Sequence, residues 1–330
     1  TEFKKISELE PIDKIFFYSF LIIPILILSG NLLINFILYF ISFTFITAKL
    51  LNKINFKLNN KIFYLLIFFF LSLVINLIFS DNIQLSFPRV IKSFFIIFFV
   101  LAFKYLIDKL RTDNLNFIYK IWTFLFSIIT IDLLFELFFQ KNIFGFQSSM
   151  PGRLVGFAGS ESNIGYLFSG FALIFLSFLN KKFPNKFLLH FFLIILLVSV
   201  SFLIGERSNF FKTFFIIICY FFIAYKVNFK KKILPIVLIF LISFTFSNTI
   251  KNALIEWKVS EENAQYYGYN SRYFWQLQKL FEEDGIKNFL ADSQYGAHYS
   301  TAIRIAEKNP FFGVGIKNFR VESFKREYVI

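Results

Sequence analysis

Long apolar stretches separated by short polar connections fill the first three quarters of the chain. An α-helix rises about 1.5 Å per residue, so roughly 15 to 25 apolar residues cover the ~30 Å of a bilayer's hydrocarbon. Nine stretches meet that length: 15–29, 31–48, 62–79, 90–107, 115–139, 163–180, 187–204, 210–225 and 233–247. Each is followed by another span or a long segment in place of a mature domain after a short leader, so none reads as a cleaved signal peptide. The pattern predicts an all-α fold, a polytopic transmembrane helical bundle over 1–247. Residues 248–330 follow as a separate helical segment outside the membrane.

Composition agrees with this reading. Of 330 residues, 57% are hydrophobic and only 17% charged, and 55 are Phe. A soluble domain carries about 25% charged residues, and disorder needs far less apolar content. The single cysteine, Cys219, excludes an internal disulfide and a cysteine-based metal cluster. With His190 and His298 the only histidines, a histidine-rich metal site is excluded as well. We expect no metal and no other cofactor.

The net charge of +14 changes meaning once its location is considered. Connections on one side hold Lys4, Lys5, Lys14, Lys49, Lys53, Lys57, Lys61, Lys104, Lys109, Arg111, Lys120, Lys181, Lys182, Lys186, Lys226, Lys230, Lys231 and Lys232. The alternate connections up to residue 247 hold only Arg89, Lys92, Lys141, Arg153, Arg207 and Lys212. This is the positive-inside pattern, with a cytoplasmic N-terminus and 248–330 on the outer face. The charge is a topology signal, and nucleic acid is not expected as a partner. Seven of the eight arginines then lie outward, Arg111 being the exception. A planar guanidinium grips phosphate oxygens in pairs, whereas Lys supplies a point charge. Chance scatter in a Lys- and Phe-rich coding bias gives the same distribution; an anionic ligand on the outer face gives it a function.

Three outer motifs hold the candidate chemistry. Pro151-Gly152-Arg153-Leu154-Val155-Gly156-Phe157-Ala158-Gly159-Ser160-Glu161-Ser162-Asn163 opens a helix and places Arg153 before it. Backbone N–H groups at a helix start plus an Arg form a phosphate cradle, although Gly/Ser loops also join helices everywhere. Gly205-Glu206-Arg207-Ser208-Asn209 is a tight turn between two apolar spans. Its charged pair is either a local ion pair or a ligand site with Glu206 orienting Arg207. The third motif runs from Gln294 to Gly315. Tyr295, Tyr299, Ala302 and Ala306 mark an amphipathic helix that Asn309-Pro310 ends, and Gly313 and Gly315 turn the chain. His298 and Arg304, six residues apart, do not share one face of it. A histidine beside an apolar stripe is more often a packed side chain than a catalyst. Asp132 and Glu136, four apart near the outer end of the fifth span, are expected to pair with Arg153 or Arg207; a proton or ion pathway is the alternative. His190, beside Lys186, is expected at the interface.

The succession of the Arg153 loop, the Gly205–Asn209 turn and the Ala297-His298-Tyr299 … Asn309-Pro310-Phe311-Phe312-Gly313-Val314-Gly315 run, after nine spans, resembles the bacterial O-antigen ligase and O-antigen polymerase superfamily. The resemblance covers most of the chain from Arg153 to Arg320. It implies a metal-independent glycosyltransferase of the bacterial inner membrane, active on the periplasmic face. The donor would be a polyprenyl-diphosphate-linked glycan, and the acceptor lipid A–core or another lipid-linked glycan. It further implies an all-helical fold of about twelve spans with a periplasmic segment after the ninth. By position Arg207 would bind the donor diphosphate, followed by Arg153 and Arg304, with Glu206 and Glu161 in support. His298 is the catalytic candidate within the chain, yet the family's usual base lies beyond the Gly-Val-Gly turn, before the last spans. The chain begins at Thr1 and stops at Ile330 without them. The resemblance therefore implies a fragment, truncated at both ends and inactive alone. The rival reading is a transporter or flippase of a lipid-linked or anionic substrate, which calls for mid-membrane charges, broken helices and inverted repeats. No repeat of fixed period is visible.

Overall fold

A computed structural model describes residues 9–56, 60–110, 112–147, 153–159, 164–184, 186–224, 237–239, 241–243, 245 and 294–325. Among these the protein is all-helical: α1 Pro11–Leu21, α2 Ile23–Leu28, α3 Asn31–Leu50, α4 Asn60–Ile78, α5 Ile83–Lys109, α6 Thr112–Phe139, α7 Ile164–Lys182, α8 Phe187–Leu203, α9 Arg207–Ala224, α10 Gln294–Lys308 and the short α11 Phe319–Glu322. Four of the described helices, α3, α5, α6 and α7, are long and apolar enough to cross a membrane. Shorter apolar helices run through α4, α8 and α9. Large apolar side chains stand exposed along them, among them Phe36, Phe43, Phe68 and Ile223. Water does not tolerate apolar faces of that extent, and they mark a membrane protein. The ninth expected span, 233–247, lies largely outside the described residues.

Two boundaries differ from the sequence expectation. The first span is a broken helix, because Pro24 has no N–H to donate and its ring crowds the preceding turn. Leu21, left at the break, has its carbonyl satisfied from another helix: the Trp122 indole N–H donates to it at 3.0 Å. The fourth span begins seven residues early, at Ile83, since Asn82 Oδ1 caps the Leu85 N–H and Pro88 falls near the helix start.

The chain divides into two compact units, neither contiguous: residues 1–35 with 109–271, and 36–108 with 272–330. In the first, α7 packs against α6, α8 and α9, and α1 and α2 pack against α6. Rings interlock there, Trp122 edge-on to Phe171 at 5.3 Å and Phe126 tilted on Phe168 at 5.0 Å. Near the start of α1 the fully buried Asp13 pairs with Lys109 at 2.5 Å. His190, expected at an interface, is buried.

In the second unit Ser42 Oγ crosses from α3 to donate to the Phe95 carbonyl of α5 at 2.7 Å. The Asn309–Asn318 run docks on the α4–α5 connection. Asn76 Oδ1 accepts the Ile316 N–H at 3.1 Å, and Asn318 Nδ2 donates to Ser80 Oγ and the Val314 carbonyl at 2.7 Å each. Phe79 stacks on Phe312 with centroids 4.1 Å apart. The helix 294–308 forms as expected, but its buried face differs. Tyr299 and Ala306 are exposed, and the buried positions are Gly296, Thr301 and Ile305. Ile305 turns inward because Val314, brought back by the glycine turn, packs against it.

Candidate functional site

The candidate site in the first unit begins with two acids on α6. Asp132 and Glu136 are one helical turn apart and both are buried. They were expected to pair with arginines; instead they hold backbone. The Glu136 carboxylate accepts the Val155 N–H at 3.0 and 3.2 Å through its two oxygens, and the Gly156 N–H at 2.7 Å. Asp132 Oδ1 accepts the Ile143 N–H at 2.9 Å, while its other oxygen is buried with no hydrogen-bond partner among the described residues. A carboxylate on buried amides satisfies donors that water cannot reach, and each such bond is stronger than a neutral one.

Asn142, unremarked in the sequence, completes the tie. Its Nδ2 donates to the Gly156 carbonyl at 2.8 Å, and its Oδ1 accepts the Phe144 and Phe146 N–H groups at 3.1 and 2.7 Å. Gly156 sits at φ +50°, and a Cβ there would lie 3.1 Å from Leu133 Cδ2 and 3.3 Å from Asp132 Oδ2. Only glycine both adopts that backbone and leaves room for the carboxylates.

From this anchor the loop reaches the second motif. The Leu154 N–H donates to the Ile204 carbonyl at 3.1 Å, and Leu154 packs on Leu137 and Leu203. Arg153, half-buried, then stands close enough to Glu206 to favour its ionised form, as does Lys212. No ion pair within 4.0 Å engages Arg153 among the described residues. Gly205, at φ +82°, turns the chain sharply between α8 and α9. Glu206 is buried and its carboxylate accepts from Asn209 Nδ2. Asn209 Oδ1 in turn accepts from Lys212 Nζ at 3.2 Å, and that ammonium lies 4.7 Å from the Tyr166 ring centroid. Burial pushes the Glu206 carboxyl above its usual range, opposed by the Asn209 amide and by the charges of Arg153 and Lys212. The first turn of α7 comes in at Gly165, where a Cβ would lie 2.7 Å from Asn209 Nδ2 and closer still to the Glu206 carboxylate.

Of the expected site residues, Arg153 and Glu206 are brought together from loops more than fifty positions apart. Arg207 begins α9 beside them, its side chain lying outside the described residues, as does Glu161. His298 and Arg304 belong to the second unit, both exposed on α10, with the imidazole 6.5 Å from the Phe319 ring. Asn209 and Lys212 were legible only as first-turn neighbours of Glu206, three and six residues on. The arrangement sets two cations beside one buried carboxylate. Comparison with protein-family models, with curated proteins and with solved structures finds no match to this chain.

Proposed function

We propose that the protein is a membrane glycosyltransferase of the O-antigen ligase and polymerase type. It moves a glycan from a polyprenyl diphosphate to lipid A–core or to another lipid-linked glycan, on the periplasmic side of the bacterial inner membrane. The observation that carries this reading is the convergence of the Arg153 loop on the Glu206 turn, with Lys212 beside them. Arg153 and Arg207 hold the diphosphate, and Glu206 offsets the mutual repulsion of the cations until the anion arrives. The leaving group is already stable as an anion, so fixed guanidinium contacts supply the electrostatic stabilisation of its departure. The acceptor hydroxyl must lose a proton near neutral pH, which suits an imidazole.

The transporter reading draws on the broken first helix and on the buried acids. Both features are occupied internally, the first by the Trp122 indole and the second by loop amides. That occupation favours the transferase. The test is transfer from a polyprenyl-diphosphate glycan by the protein in proteoliposomes. Arg153→Ala and Arg207→Ala should each lower the rate by about 100-fold or more, as loss of a charge stabiliser does, while the protein still inserts. Wild-type rates in both variants would discard the assignment.

A further inference from the structure

A second cationic site lies at the opposite end of α6. Asp113, Asn116, Phe117 and Lys120 of α6, with Phe178, Lys181 and Lys182 of α7, line a cavity of about 460 Å³. Three lysines and one aspartate are among the residues that line it. One of them is held in place, since Lys181 Nζ donates to Asn116 Oδ1 at 2.8 Å. Two phenyl rings, Phe117 and Phe178, form the apolar part of the lining. Asn116 and Glu136 are twenty residues apart on one helix, about 30 Å along its axis. That is the hydrocarbon thickness of a bilayer, so this cavity and the Arg153 site are on opposite faces and cannot share one ligand.

We propose that this cavity binds the phosphate headgroup of an anionic phospholipid. α6 and α7 are two of the four described helices long and apolar enough to cross a membrane, so their lysine-bearing ends stand at headgroup level. Basic pockets between spans at that level take anionic headgroups. Lysine suits a phosphodiester, which needs charge more than a bidentate fork. The phenyl rings give the glycerol and the first acyl carbons an apolar wall, which a free phosphate would not use. This inference is independent of the transferase reading.

Native mass spectrometry of the full chain in detergent tests it, with phosphatidylglycerol, phosphatidylcholine or inorganic phosphate added. Phosphatidylglycerol should be retained by the wild type well beyond phosphatidylcholine. The Lys120→Gln, Lys181→Gln, Lys182→Gln triple variant should bind it about 100-fold more weakly, from roughly tenfold or less per lysine near the surface. Asn116→Leu alters no charge, leaves the insertion bias intact and should cost about fivefold by freeing Lys181. Should the triple variant fail to insert, Asn116→Leu decides the question. Equal retention of the two lipids, equally tight inorganic phosphate, or undiminished binding in the variants would overturn the proposal.

Discussion

Glu136→Gln tests whether charge-assisted bonds hold the Arg153 loop. Glutamine keeps the volume and one carbonyl acceptor, but turns an NH₂ group toward an amide that a carboxylate oxygen now receives. Val155 and Gly156 are both buried, so neither N–H can turn to water instead. A hydrogen bond to a charged group contributes about 1.5–3 kcal/mol, against about 0.5–1.5 kcal/mol for a neutral one. One oxygen, Oε2, receives both amides, so a glutamine carbonyl set there keeps both as neutral bonds, and the loss of charge assistance in two bonds is about 2 kcal/mol. For a compact unit of about 200 residues that lowers Tm by roughly 4–8 °C. Thermal unfolding of the detergent-solubilised chain measures it, and trypsin cleavage after Arg153 should quicken in parallel. A Tm within about 2 °C of wild type with unchanged cleavage would refute the claim that Glu136 is ionised and anchors the loop.

Gly165→Ala should destabilise the chain by about 1–3 kcal/mol through overpacking, because the added methyl meets Asn209 and Glu206 at buried positions; wild-type stability would show that those side chains give way freely. Glu206 carries a pH prediction. Its carboxyl is raised by burial, so as pH falls it neutralises before an ordinary glutamate does, and the negative charge beside Arg153 and Lys212 disappears. Pyrophosphate binding by calorimetry should therefore tighten toward acid more in the wild type than in Glu206→Gln, and identical profiles would contradict the geometry. The stability term has the matching sign: it is present at low pH and lost as pH rises through the raised value.

Apolar length and charge alternation made the helices legible from sequence, since a bilayer demands about twenty apolar residues per crossing and backbone bonds that close within each span. The turn chemistry of Asn309-Pro310 was likewise readable because it is local. What Asp132 and Glu136 do was not. Four-residue spacing puts them on one face, but whether that face meets a guanidinium or a backbone amide depends on where residues 153–156 return. The buried stripe of α10 shows the same limit, since periodicity set its helical character and Val314, nine residues beyond Ile305, chose which side turned inward. Sequence alone thus determined that this is a helical membrane protein with most of its cations gathered in one of two alternating sets of connections. Only the tertiary structure decided that the Arg153 loop returns to the Glu206 turn and that three lysines line one cavity, because such meetings depend on helix packing between segments far apart in the chain.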